Sequence, residues 1–138
     1  MKHFISAFGE HVIGEEVEQA LLEVTQSLNL SVIEFTVAPY IQQGQGKSYH
    51  EWFIEFEKAP ENMAQFEQAL NALMCAKNVY YLDLIQGNIL EHLHVRVLAK
   101  NAFIDYMRSQ GKLGGQNKVP RLSNDRKIAD DLKQYILD

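Results

Sequence analysis

Ser31-Val32-Ile33-Glu34-Phe35-Thr36-Val37-Ala38-Pro39-Tyr40, a polar turn over residues 42–48, and Tyr49-His50-Glu51-Trp52-Phe53-Ile54-Glu55-Phe56-Glu57 decide the fold. Apolar residues recur at every second position: Ile33, Phe35 and Val37 in the first half, Trp52, Ile54 and Phe56 in the second. Successive side chains of a strand point to opposite faces, so this alternation predicts two half-buried strands, and the short turn between them predicts a hairpin. Glu51, Glu55 and Glu57 fall on the opposite face of the second strand and read as its solvated side.

Working outward, residues 4–8 alternate enough for a first strand that ends at Gly9. Val17, Ala20, Leu21, Val24 and Leu28 then recur at spacings of three and four, the stripe of a helix of about four turns. Glu15, Glu16 and Glu18 sit at its positive end and Asn29 marks its stop. Beyond the hairpin, Asn62 caps a helix striped by Met63, Phe66, Leu70, Leu73 and Met74. Residues 79–90 suggest a second short helix, and Leu93, Val95 and Val97 a fourth strand. Helices over 101–110 and 127–137 complete the chain. The order matches an α+β split βαβ sandwich: helices on one face of a mainly antiparallel or mixed four-stranded sheet. That class hosts many functions.

With 138 residues, 46% of them hydrophobic and 22% charged, the chain suits one domain that buries roughly two-thirds of its unfolded surface. No apolar run approaches the ~20 residues that cross a bilayer, and the N-terminus lacks a signal peptide's apolar stretch. The single cysteine, Cys75, cannot form an internal disulfide. A cytoplasmic module is expected. A net charge of −5 offers no global attraction to nucleic acid or to an anionic membrane. One stretch runs against that balance. Residues 108–127 hold six basic side chains (Arg108, Lys112, Lys118, Arg121, Arg126, Lys127) and one acid, Asp125, which leaves −10 on the remainder.

Most candidate motifs dissolve on inspection. Gly44-Gln45-Gly46-Lys47-Ser48 resembles the end of a phosphate loop, but Ile41 stands where the motif needs glycine and a strand follows instead of a helix. His92 and His94 point to one side of a strand, yet zinc needs a further ligand and no paired motif supplies it, so no metal site is expected. Cys75 beside Met74 reads as packing. The segment Gly111-Lys112-Leu113-Gly114-Gly115-Gln116-Asn117-Lys118-Val119-Pro120-Arg121 differs. Its glycines let backbone N–H groups approach an anion, while two lysines and an arginine supply charge. Such a loop could close as a mobile lid over phosphates.

Residues 115–121, with Leu122-Ser123-Asn124-Asp125-Arg126 after them, resemble the C-terminal signature of the Gretchen Hagen family of auxin-responsive acyl-acid amido synthetases, in a bacterial-type member. The resemblance extends through Gly9-Glu10 and the following helix, residues 33–39 and residues 50–56. It implies that residues 1–138 are the C-terminal lid domain of a larger adenylate-forming enzyme, with Met1 an artificial start. Such an ATP-dependent ligase makes an acyl-AMP from a small carboxylic acid and passes the acyl group to an amino acid. The partner implied is an absent N-terminal adenylation domain holding the acyl pocket, most nucleotide contacts and Mg, with no nucleic acid and no membrane. Lys118 would be the catalytic residue, and Lys118, Arg121, Gly115, Gln116 and His11 would face the ATP phosphates. His11 stands where plant members tend to carry a phosphate-reaching lysine, and neutral imidazole is a weaker anion partner than ammonium. Asn117 stands where they usually have an aromatic residue. The alternative is a stand-alone split βαβ domain that binds a small ligand or dimerises.

Overall fold

The computed structural model describes residues 4–42, 46–111 and 119–137. In chain order its elements are β1 (Phe4–Ile5), β2 (Val12–Ile13), α1 (Gly14–Ser27), β3 (Ser31–Tyr40), β4 (Tyr49–Lys58), α2 (Met63–Lys77), α3 (Val79–Gln86), β5 (His94–Leu98), α4 (Ala102–Ser109) and α5 (Lys127–Leu132), with a 3-10 turn over Lys133–Tyr135. The hairpin forms as its alternation predicts: β3 and β4 pair antiparallel, with Phe35 opposite Ile54 and Val37 opposite Trp52. β5 lies parallel to β4 on its other side. Parallel neighbours need a long crossover, which α2 and α3 provide. Asn78 joins these two helices, closing the first and capping the second by accepting from the Tyr81 N–H at 2.9 Å.

The class is α+β, but several of its details differ from the sequence reading. The N-terminal strand does not enter the main sheet, which has three named strands. β1 folds back on β2 as a separate two-stranded ribbon. Gly9 (φ 93°) and His11 (φ 48°) turn the chain back between them. Ile33, expected to share the buried face of Phe35 and Val37, is 52% exposed, because register shifts around Val32 and Glu34 break the period there.

Helices also cover both faces of the sheet. On one, Phe35, Val37, Trp52 and Ile54 join the same core as Val17 and Val24 of α1, Phe66 and Leu70 of α2, and Tyr81 of α3. On the other, Ala38, Phe53 and Leu98 join Phe103 and Tyr106 of α4 and Ala129 and Leu132 of α5. The acidic side of β4 is therefore interior. Glu51 and Glu55 are 4% and 2% exposed, and of the three glutamates only Glu57 meets solvent. Glu55 accepts from the Asn101 and Phe103 N–H groups at 2.8 and 3.1 Å, which satisfies the start of α4. Glu51 accepts from Arg96 at 2.6 Å and from Arg126 at 2.7 Å.

The sheet's edges are covered as well. Along β3, the Val37 N–H donates to the Arg121 carbonyl at 3.0 Å and the Ser123 N–H to the Val37 carbonyl at 2.9 Å, with Leu122 in parallel register. Along β5, the Leu137 N–H donates to the Val97 carbonyl at 2.8 Å and the Ala99 N–H to the Tyr135 carbonyl at 2.9 Å. Among the described residues no helix is long and apolar enough to cross a membrane.

An interior role for Glu55 has a measurable consequence. Glu55→Ala strands the buried Phe103 amide and frees that of Asn101, so urea unfolding should show a loss of about 1–3 kcal/mol. Glu57→Ala should stay within about 0.5 kcal/mol of the parent. Equal effects would mean that the acidic face is solvated after all.

Candidate functional site

One corner of the domain gathers the segments that the sequence singled out. The Ser6 N–H of the ribbon donates to Asn124 Oδ1 at 3.0 Å, tying the ribbon to the segment that follows Arg121. Gly14, at the start of α1, lies so near Arg121 that an added Cβ would meet the arginine's Cβ at 3.9 Å. The ribbon turn carrying His11, the start of α1 and residues 121–124 are thus neighbours.

The turn is fixed from beneath. Glu10 is fully buried and meets His50 Nε2 at 2.5 Å, while its other oxygen accepts from the Phe8 N–H at 2.9 Å. Burial alone would push the Glu10 carboxyl up. The hydrogen bond and charge of His50, with backbone N–H groups, pull it below its ordinary value. Asn78 holds the turn from the side, donating to the His11 carbonyl at 3.3 Å and to Glu16 at 3.0 Å. His11 itself is exposed.

Arg121 faces acids. Its Nε lies 3.3 Å from Glu18, its Nη1 pairs with Glu34, and its guanidinium sits 4.9 Å above the Phe35 ring. Beside it, a groove of about 480 Å³ runs between α1 and β3, lined by Leu21, Leu22, Val32 and Phe35 among others. Arg126 is held in a similar way on the second face: by Glu51, by the Pro39 carbonyl at 3.3 Å, and over the Tyr40 ring at 5.4 Å. Arg108 pairs with Asp105. Lys118, Gly115 and Gln116, with Lys112 and Asn117, lie outside the described residues.

The arrangement around Glu51 was not legible as a site in the sequence. Arg96 reaches both Glu51 and the Tyr49 hydroxyl, at 2.6 and 3.1 Å, and Tyr49 stacks between Tyr40 (4.7 Å) and His94 (3.9 Å). His94 pairs with Glu91 at 2.7 Å, and the His92 ring stacks 6.3 Å away. Among the described residues no group of three His, Cys, Asp or Glu side chains could hold a metal ion. Cys75 is half-buried, and burial pushes its thiol up, away from the reactive thiolate.

A mixed three-stranded sheet with helices on both faces, and a basic, glycine-bearing segment whose end is bonded to the β3 edge, defines a small α+β domain of particular design. A family model described as "GH3 family C-terminal domain" matches residues 15–127, and the chain belongs to that family. Its fold is similar to the solved structure of "GH3.15 acyl acid amido synthetase", with a TM-score of 0.80 at 16% identity. It is also similar to "AtGH3.15 acyl acid amido synthetase in complex with 2,4-DB", with a TM-score of 0.76 at 14% identity. Both comparisons cover all of this chain but only 27% and 26% of theirs, so the chain spans about a quarter of their length. No curated protein matches it.

The buried Glu10–His50 pair makes stability depend on acid. A carboxyl whose folded value is lowered contributes stability above its unfolded value and loses it as pH falls through the folded one. Glu10→Gln should therefore cost on the order of 1–3 kcal/mol at neutral pH by urea unfolding. The gap to the parent should narrow as the pH is taken below the ordinary glutamate range. A gap that stays constant down to the acid transition would show that the pair contributes no charge-linked stability.

Proposed function

We propose that this chain is the C-terminal lid domain of an ATP-dependent, adenylate-forming acyl-acid ligase. The reaction joins a small carboxylic acid to ATP as an acyl-AMP and then transfers the acyl group to an amino acid. The observation that carries this reading is the family match over residues 15–127, which contains the whole signature from Gly115 to Arg126. The bonding of residues 121–123 to β3, beside the His11 turn, supports it, because a group used in catalysis needs a rigid base.

In this reading Lys118 is the catalytic cation, aimed at charge that develops on the phosphates. Backbone N–H groups of Gly115 and Gln116 would cradle phosphate oxygens, and His11 would approach them from the ribbon. Arg121 belongs to the same segment, although its charged contacts here are Glu18 and Glu34. The described residues thus supply the base of a phosphate site more than its lining. Magnesium-bound ATP, the acyl pocket and the acceptor site would belong chiefly to an N-terminal adenylation domain, and the enzyme would work in the cytoplasm.

The decisive experiment is ATP–pyrophosphate exchange by the intact enzyme. An exposed pair of charges ~4 Å apart is worth only about 1 kcal/mol. A preorganised donor in a closed site is worth about 10²–10³ in rate. Lys118→Ala should lower exchange by that larger factor and Lys112→Ala by much less. Lys118→Arg should rescue only partly, since a planar fork differs in shape from an ammonium. Equal losses under about threefold for both lysines would reduce the segment to a solvated charge run. The 138-residue chain alone should show no exchange.

A further inference from the structure

We infer that Arg121 serves as a positioning residue: held between Glu34 and Glu18, it pins residues 119–123 to β3 and α1 and does not itself bind phosphate. This inference rests on the function proposed above and assigns one residue a different task within it. Two of the three guanidinium nitrogens and the face of the group are already engaged. Nη1 pairs with Glu34, Nε faces Glu18, and the guanidinium face lies over Phe35. A guanidinium has its donors in one fixed plane and cannot swing a free one outward as an ammonium can. One cation between two carboxylates also leaves a local charge of −1, which repels phosphate. Glu34 is itself immobilised, since the same oxygen accepts from the Phe35 N–H at 3.0 Å.

The backbone of the same segment is bonded to β3 at three points. The Arg121 carbonyl accepts from Val37, the Ser123 N–H returns a bond to Val37, and the Pro120 carbonyl accepts from Thr36 Oγ1 at 2.8 Å. Leu122 is fully buried between them. Arg126 repeats the pattern on the other face through Glu51, the Pro39 carbonyl and Tyr40. The two arginines described at this end of the signature are therefore tethers to the hairpin.

Neutralising Arg121's partner separates the two roles. If Arg121 pins the segment, Arg121→Gln and Glu34→Gln should each lower the kcat of ATP–pyrophosphate exchange by about tenfold or more. The double variant should be no worse than the stronger single, with KM for ATP within about twofold of the parent. If Arg121 binds phosphate, Glu34→Gln frees the guanidinium and exchange holds or rises, while Arg121→Gln alone raises KM. Either of those results overturns the inference. Hydrogen exchange on the chain itself gives a second test. The Val37 and Ser123 amides should lose protection to a similar extent in both variants, and unchanged protection in both would also overturn it. Lys118→Ala, run alongside, reports on the functional reading: parent-level exchange there rejects that reading, and the pin is then decided by the two amides.

Discussion

Two carboxylates inside the domain, Glu51 and Glu55 on β4, fix where everything on its second face must go. A buried carboxylate costs several kcal/mol unless it is matched by charge or by well-aimed donors. Glu55 is matched by the first amides of α4, so that helix must begin where it does. Glu51 is matched by Arg96 from β5 and Arg126 from the start of α5, so the sheet and the last helix are locked at one point. Placing α4 and α5 places the chain that returns between them to the β3 edge. The basic segment's location is thus a consequence of acids buried far from it in sequence.

That return has two effects at once. An open strand edge invites pairing with another chain, and residues 121–123 close the part of β3 that they reach. The same bonds hold the end of the signature to the central hairpin. In the function proposed above, a segment that both finishes the sheet and carries Lys118 couples fold stability to site geometry, so a weakened edge would be felt at the site.

What the sequence revealed follows from period. The hairpin, α1, α2 and the Asn62 cap announce themselves through alternation, helical stripes and a side chain suited to accept from Gln65. Glu51 and Glu55 misled because an acid at every second or fourth place looks identical whether water or a helix start faces it. The N-terminal ribbon was hidden because His11 adopts a positive φ that histidine seldom takes. At the site, the family signature was visible, but the partners of Arg121 and Arg126 were not. Glu18, Glu34 and Glu51 lie about 75 to 103 residues away in the chain. One signal did exist: a local excess of cations set in a strongly acidic remainder is a pattern of donors awaiting acceptors.

The closing of both sheet edges by late segments has a consequence for how this chain is made. β3, β4 and β5 are complete once residue 98 has been added, yet the residues that bond to their outer edges are 121–123 and 135–137. Until residues 121–123 and 135–137 have been added, the outer edges of that sheet lack the bonds that these residues make. During that interval the neighbours on a crowded polysome offer competing strands. Residues 121–123 and 135–137 act as latches whose loss would be felt first as poor yield of soluble protein, before any change in the finished fold.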